Sequence, residues 1–343
     1  MANFKEIMER PERLTGGHRM CAGCGGTIAA RNVLKALKPE DKAVIANATG
    51  CLEVSTFMYP YTAWTDSYIH NAFENAGATL SGVEAAYNVM KRKGKLDDTH
   101  KFIAFGGDGG TYDSGFQSLS GAMERNHDLV YVCYDNGAYM NTGIQRSSAT
   151  PMYADTTTTP AGKVSNGKMQ NRKDLAEIIA SHHIPYVGQT TFIGNFSDLH
   201  AKAEKAIYTK GAAFLNIMAP CPRGWRYPTE NIMEMCKLGV ETCYWPLFEV
   251  IDGKWILNYK PKDKKPIEDF LKPQGRFKHL FKKGNEHLIE QFLVIVFIRF
   301  SKRTARYVSH RVKSDLFELF GVSSSHPPEI RKRTVLPELP SVG

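Results

Sequence analysis

The sequence lacks any apolar run long enough to cross a bilayer. Spanning takes about 20 apolar residues, and the longest run here, Leu293 to Ile298, is far shorter. No membrane insertion is expected. The first seventeen residues, MANFKEIMERPERLTGG, have no apolar stretch of the kind that drives export, so the expected location is cytoplasmic. A disulfide framework is missing too. Seven cysteines in 343 residues are an odd number, and without export metal binding or buried thiols are the expectation. There is no internal repeat. The formal net charge is +9, and part of the excess is local: after residue 300, eight Lys and Arg stand against four Asp and Glu. Such charge can attract nucleic acid, membrane or acidic proteins. The remainder is so mildly basic that solvated faces account for most of it. An acidic protein partner is expected before nucleic acid, and no nucleic-acid binding is expected.

What is present reads as a parallel α/β fold. Hydrophobic residues make up 42% of the chain, ordinary for a globular domain. Short apolar runs at 43–47, 102–105, 129–134, 185–189 and 212–218 read as buried strands. Helical spacing at 28–37, 76–93, 114–125, 174–182 and 197–208 alternates with them. Continuous apolar strands between helices predict a parallel sheet covered by helices on both faces. Ligands of such sheets sit beyond the carboxyl ends of the strands. Cys51, Asp108, Asn136 and Cys221 all follow expected strand ends, so one geometric rule gathers them on one edge. Residues 143–172 are rich in Ser, Thr, Pro and Gly. They form an expected long loop, which in a compact domain tends to be functional.

Two constellations carry chemistry. In the first, Gly107-Asp108-Gly109 is followed 28 residues later by Asn136, within Asp135-Asn136-Gly137-Ala138. Asp108 offers a carboxylate oxygen, Asn136 an amide oxygen and Ala138 a backbone carbonyl. These are hard donors suited to Mg²⁺, with diphosphate oxygens and water completing an octahedron. Gly107, Gly109 and Gly110 would let backbone approach a diphosphate, and a helix from about Ser114 would aim its N-terminus at it. In the second, Cys21-x-x-Cys24 alone fits a zinc hook, a redox pair or two bystanders. With Cys51 and Cys221 it makes four thiolates, suited to a 4Fe–4S cluster or a structural zinc. The third and fourth ligands are single and distant rather than paired, which favours the cluster. Cys133, inside a strand, reads as core, and Cys236 and Cys243 as non-ligands.

The motifs Cys-Ala-Gly-Cys-Gly (21–25), Ala-Thr-Gly-Cys-Leu-Glu (48–53), Tyr-Pro-Tyr-Thr-Ala-Trp (59–64), Ile-His-Asn-Ala-Phe-Glu-Asn-Ala (69–76), Phe-Gly-Gly-Asp-Gly-Gly-Thr-Tyr-Asp (105–113), Tyr-Met-Asn-Thr-Gly (139–143), Ala-Pro-Cys-Pro (219–222) and Gln-Gly-Arg-Phe (274–277) resemble one family. It is the thiamine-diphosphate-dependent 2-oxoacid:ferredoxin oxidoreductases, in particular the β subunits acting on pyruvate. The resemblance runs from about residue 15 to about residue 290. It implies a thiamine-diphosphate-binding fold over 1–290, with Cys21, Cys24, Cys51 and Cys221 on one 4Fe–4S cluster and Asp108, Asn136 and the Ala138 carbonyl on Mg²⁺. It implies that Gly107, Gly109 and Gly110 cradle the diphosphate, that Cys51 adjoins the thiamine, and that Asn141 faces the reacting centre as the catalytic side chain. The implied reaction is oxidative decarboxylation of pyruvate with coenzyme A to acetyl-CoA and CO₂, electrons leaving through the cluster to ferredoxin. An α subunit would supply the activating glutamate, and γ and δ-type subunits would complete the complex. A branched-chain 2-oxoacid, 2-oxoglutarate or oxalate is the alternative substrate. A cluster-free thiamine-dependent decarboxylase and a zinc-stabilised interaction subunit are the alternative classes. Residues 291–343 depart from the family, and an atypical tail that packs poorly or is disordered is expected there. His70 is expected near the site or as a structural histidine, and His182 and His183 as helix-end residues.

Overall fold

The computed structural model describes residues 4–307. Its centre is an eight-stranded sheet in the order β2-β1-β3-β4-β6-β5-β7-β8. The strands are β1 (Lys42–Ala48), β2 (Ser67–Asn71), β3 (His100–Gly107), β4 (Val130–Asp135), β5 (Tyr186–Thr190), β6 (Ala213–Met218), β7 (Phe248–Ile251) and β8 (Lys254–Leu257). The pairs linking the first six are all parallel, as the apolar runs require. β7 pairs antiparallel with β5, and β8 with β7, so the sheet carries a hairpin at one edge that the sequence pattern did not announce. β2 was also unannounced: it lies at the opposite edge, and of its five residues only Asn71 is buried.

Why the strands read as unbroken apolar runs is visible in the core. Ile103 and Phe105 of β3, with Val130, Val132 and Tyr134 of β4, enter one buried cluster. Phe102, Ala104, Tyr131 and Cys133, the alternate residues, enter another on the opposite face. Each face must be apolar because each is covered. The helices Gly25–Leu34 and Ser197–Tyr208 lend residues to the first cluster. The helices Ala76–Arg92, Phe116–Glu124 and Leu175–Ala180 lend theirs to the second. Full burial of a side chain such as Phe105 contributes about 1.5–3 kcal/mol relative to exposure.

Two expected helix boundaries shift for local reasons. The helix expected over 28–37 starts at Gly25, because the chain there lies against the end of β6. A Cβ at Gly25 would stand 2.4 Å from the Ala219 carbonyl carbon. The helix expected from Ser114 is preceded by a wide π-helical turn, Gly110–Ser114, so helical backbone begins beside Asp108 rather than beyond it. Asp174 precedes the Leu175–Ala180 helix without bonding to it through its side chain; it pairs instead with Arg299 at 3.6 Å.

The helix Glu286–Tyr307 runs through the boundary expected at residue 290. Leu288, Phe292 and Val296 are buried, one turn apart, and Phe292 stacks on Tyr244 with centroids 6.1 Å apart. The apolar run thus supplies one helical face, and residues 291–299 of the expected tail pack on the domain. Residues 308–343 of that tail lie outside the described residues. Among the described residues no helix is long and apolar enough to cross a membrane.

Candidate functional site

Cys51, Asp108, Asn136 and Cys221 lie one to three residues past the ends of the neighbouring strands β1, β3, β4 and β6 respectively. Their register holds the ends level: Gly107 pairs with Tyr134 and Asp135 with Met218. One pocket opens at this edge. Its lining includes Cys51, Gly107, Gly109, Gly110, Asn136, Ala138 and Asn141, so the structure brings these expected site residues together. Asp108 lies just beneath the lining.

Asp108 is fully buried. Its Oδ1 accepts the backbone N–H groups of Asn136 and Gly137, both at 3.1 Å, and its Oδ2 accepts the Ser147 hydroxyl at 2.5 Å. Burial, with Asp135 nearby, pushes its pKa up to about 7. The neighbouring loop is fixed in turn: Thr150 donates to the Gly137 carbonyl at 2.7 Å and the Trp225 indole to the Asn136 carbonyl at 2.5 Å. Gly137 takes φ +78°, a conformation that favours glycine.

One terminal atom of the Asn136 amide lies 2.9 Å from Asp108 Oδ1 and 2.9 Å from the Ala138 carbonyl oxygen. Without a cation, that atom must be the NH₂ group, donating to both. With a cation it can be the oxygen. Mg²⁺ holds oxygens at about 2.0–2.1 Å, so ligands at right angles stand about 2.9 Å apart. The three expected Mg²⁺ ligands fit that ion in donor type, and the two separations from Asn136 are ones it would accept.

Packing alone requires glycine at two of the three glycine positions. A Cβ on Gly109 would meet the Tyr139 ring at 2.4 Å, and one on Gly110 the Phe73 carbonyl oxygen at 2.7 Å. Tyr139 and Gln145 exchange backbone hydrogen bonds at 2.9 and 3.2 Å, closing a tight loop that presents the exposed Asn141 at the pocket rim.

The four expected cluster thiols share the other side of this edge. Cys21 is exposed, while Cys24, Cys51 and Cys221 are half-buried. The Gly25 N–H donates to the Pro220 carbonyl at 3.2 Å, tying the first cysteine loop to the last cysteine's strand end. Burial pushes the Cys51 thiol up to about 12, and Cys24, Cys221 and Cys21 add to the shift, so the four act on one another. The Gly224 N–H points at Cys221 Sγ at 3.4 Å, the kind of amide donor that accompanies cluster sulfur. Among the described residues no three His, Cys, Asp or Glu side chains converge as ligands of a single ion. A cubane's thiolates bind four separate irons, and four thiols with an amide donor fit it in chemistry. Cys133 and Cys236 are buried core thiols, and Cys243 is buried too.

Several contributors escaped sequence reading. Ser147 and Thr150 sit in the expected functional loop, where composition was the only signal. Lys168, also in that loop and fully buried, donates to the carbonyls of Ser147 (3.2 Å), Ser148 (3.3 Å) and Thr150 (2.6 Å). Behind Asp135, Tyr112 donates to its carboxylate at 2.6 Å and Arg172 pairs with it. His70 is a half-exposed histidine that pairs with the buried Glu53 and stacks on Phe57 at 4.9 Å. His182 reaches back to the Ile178 carbonyl at 3.0 Å, consistent with a helix-end role.

Residues 48–217 match the family described as thiamine pyrophosphate enzyme, C-terminal TPP binding domain. Pyruvate synthase subunit PorB of Thermotoga maritima is 50% identical over 285 residues, covering 81% of this chain and 88% of that protein. PorB of Methanocaldococcus jannaschii is 51% identical, covering 79% and 91%. Ketoisovalerate oxidoreductase subunit VorB of Pyrococcus furiosus is 44% identical, covering 83% and 92%. A solved 2-oxoglutarate:ferredoxin oxidoreductase from Magnetococcus marinus superposes with TM-score 0.51 over 66% of this chain and 79% of that chain. At 19% identity it speaks to the fold alone.

Proposed function

Because this chain belongs to the pyruvate synthase subunit PorB family, we propose that it is the subunit of a pyruvate:ferredoxin oxidoreductase that holds thiamine diphosphate and one 4Fe–4S cluster. The single observation that carries this reading is that one Asn136 amide atom stands 2.9 Å from both Asp108 Oδ1 and the Ala138 carbonyl oxygen, at the shared mouth of β1, β3 and β4, where an octahedral cation would accept all three residues as ligands. Thiamine diphosphate, when bound, supplies the carbon nucleophile and electron sink for decarboxylating a 2-oxoacid, and a cluster supplies a one-electron acceptor.

The chain's own residues do the rest. Asp108, Asn136 and the Ala138 carbonyl hold Mg²⁺, and through it the diphosphate. Ser147 and the amides of Asn136 and Gly137 keep the Asp108 carboxylate aimed. Asn141, on its closed loop, offers an amide to the substrate at the rim. Cys21, Cys24, Cys51 and Cys221 hold the cluster, Cys51 standing at the wall shared with the pocket. No carboxylate lines that pocket among the described residues. That leaves room for an activating glutamate supplied by an α subunit that completes the site. γ and δ-type subunits would carry electrons to ferredoxin.

Pyruvate rather than another 2-oxoacid is supported by the relatives' names. The 44% identity to a ketoisovalerate oxidoreductase subunit favours a branched-chain 2-oxoacid as the second reading. Anaerobic co-expression with the partner subunits, followed by ferredoxin reduction on a panel of 2-oxoacids with and without coenzyme A, separates them. The highest kcat/KM is expected on pyruvate, with turnover dependent on coenzyme A. Turnover on ketoisovalerate but not on pyruvate would establish the second reading.

A further inference from the structure

Three glycines from three segments make room for one aromatic ring. Tyr134 lies near the end of β4, directly before Asp135. A Cβ at Gly26, two residues past Cys24, would meet its ring at 3.3 Å, and one at Gly107 would meet it at 3.3 Å. One at Gly50, directly before Cys51, would stand 2.5 Å from its hydroxyl oxygen. The side chain is buried at 2% exposure and lines the same pocket as Cys51 and Asn141. It stands in the wall between the thiamine pocket and the thiols.

The hydroxyl makes no hydrogen bond of good geometry. The Leu52 amide faces its oxygen, and no acceptor takes its proton. Tyr131, three residues earlier on β4 and on the opposite face of the sheet, shows the contrast: its hydroxyl has the Thr111 hydroxyl at 3.4 Å. Buried O–H groups normally find an acceptor, and the titratable side chains that bear on Tyr134 are, first of all, Cys51 and then Cys24.

We propose that the Tyr134 hydroxyl donates its hydrogen bond to sulfur at Cys51 once the cluster is in place, and so raises the reduction potential of that cluster on the side facing the thiamine. The proposal rests on the cluster reading above. A donor on sulfur draws off negative charge. It therefore stabilises the reduced cluster, which carries one more electron, more than the oxidised one. Tyr134 is on this account a positioning and tuning residue. It forms no bond to substrate.

The test uses the anaerobically assembled complex carrying Tyr134→Phe, with Tyr131→Phe as the control for loss of a buried hydroxyl. The signal of this chain's cluster is identified by its loss in Cys221→Ser, and its midpoint is read by redox titration followed by electron paramagnetic resonance. Tyr134→Phe is expected to move the midpoint to a more negative potential while iron content and thiamine diphosphate affinity stay at the wild-type level. Tyr131→Phe is expected to leave it in place. An unmoved midpoint in Tyr134→Phe overturns the proposal, as does an equal shift in Tyr131→Phe. If no signal disappears in Cys221→Ser, the cluster reading itself fails, a result distinct from failure of the tyrosine's role.

Discussion

The two halves of this sheet edge are built differently. At the diphosphate end, Asp108 is buried with its carboxylate already engaged by two backbone amides and a serine hydroxyl. The loop holding that serine is pinned by Lys168. At the thiol end, Cys21 is exposed, the other three are half-buried, and burial keeps the Cys51 proton on. The first half is organised by the chain in advance, which cuts the ordering cost of binding a diphosphate and its cation. On the proposed reading the second would be organised by its cofactor, because thiols must lose their protons to bind metal and ligation then supplies the organising energy.

That contrast can be broken by substitution. The largest effect is expected from Asp108→Ala, which removes a cation ligand and strands three donors, each buried orphan costing about 1–3 kcal/mol. Calorimetry should show no thiamine diphosphate binding, while iron remains. Cys221→Ser should do the reverse. Iron and sulfide are lost, and thiamine diphosphate affinity holds to within about twofold if the two ends are independent. Coupled loss of both cofactors in either variant would show that the halves are one site.

Smaller changes sharpen the same picture. Ser147→Ala deletes one charge-assisted hydrogen bond to Asp108. Mg²⁺-dependent thiamine diphosphate affinity should fall by about ten- to a hundredfold, with iron unchanged. The least dramatic effect concerns pH. Burial pushes the Lys168 ammonium down to about 7 from 10.5. Between those values the unfolded chain binds a proton that the folded chain does not, so this group makes stability rise with pH across that window. Lys168→Met removes that contribution. The stability difference between wild type and variant, followed by denaturant unfolding from pH 7 to 10, should therefore shift in favour of wild type as pH rises. A flat difference would mean that Lys168 stays charged in the fold.

Much of this was legible because strand ends are legible. Apolar runs at 43–47, 102–105, 129–134 and 212–218 located the central strands. The rule that ligands sit at their carboxyl ends then gathered Cys51, Asp108, Asn136 and Cys221. The edge strands β2, β7 and β8 were not legible, since five or four residues of mixed polarity carry too weak a period. Ser147 and Lys168 reach the site through tertiary folding of a long loop, which no local pattern encodes. Tyr134 was hidden for the opposite reason: it sits in a continuous apolar strand and reads as core, and only the glycines packed on it show where its hydroxyl points. The helix expected to begin at Ser114 begins at the strand end because the π-helical turn Gly110–Ser114 follows β3 with almost no connecting loop.

The claim that one chain holds both cofactors has a direct measurement. Iron, acid-labile sulfide and thiamine diphosphate are counted in the anaerobically assembled complex and in the same complex carrying Cys221→Ser. The account predicts that the substitution removes one cluster's worth of iron and sulfide, four of each per copy of this chain, and leaves the thiamine diphosphate count unchanged. Equal iron in the two preparations would contradict it.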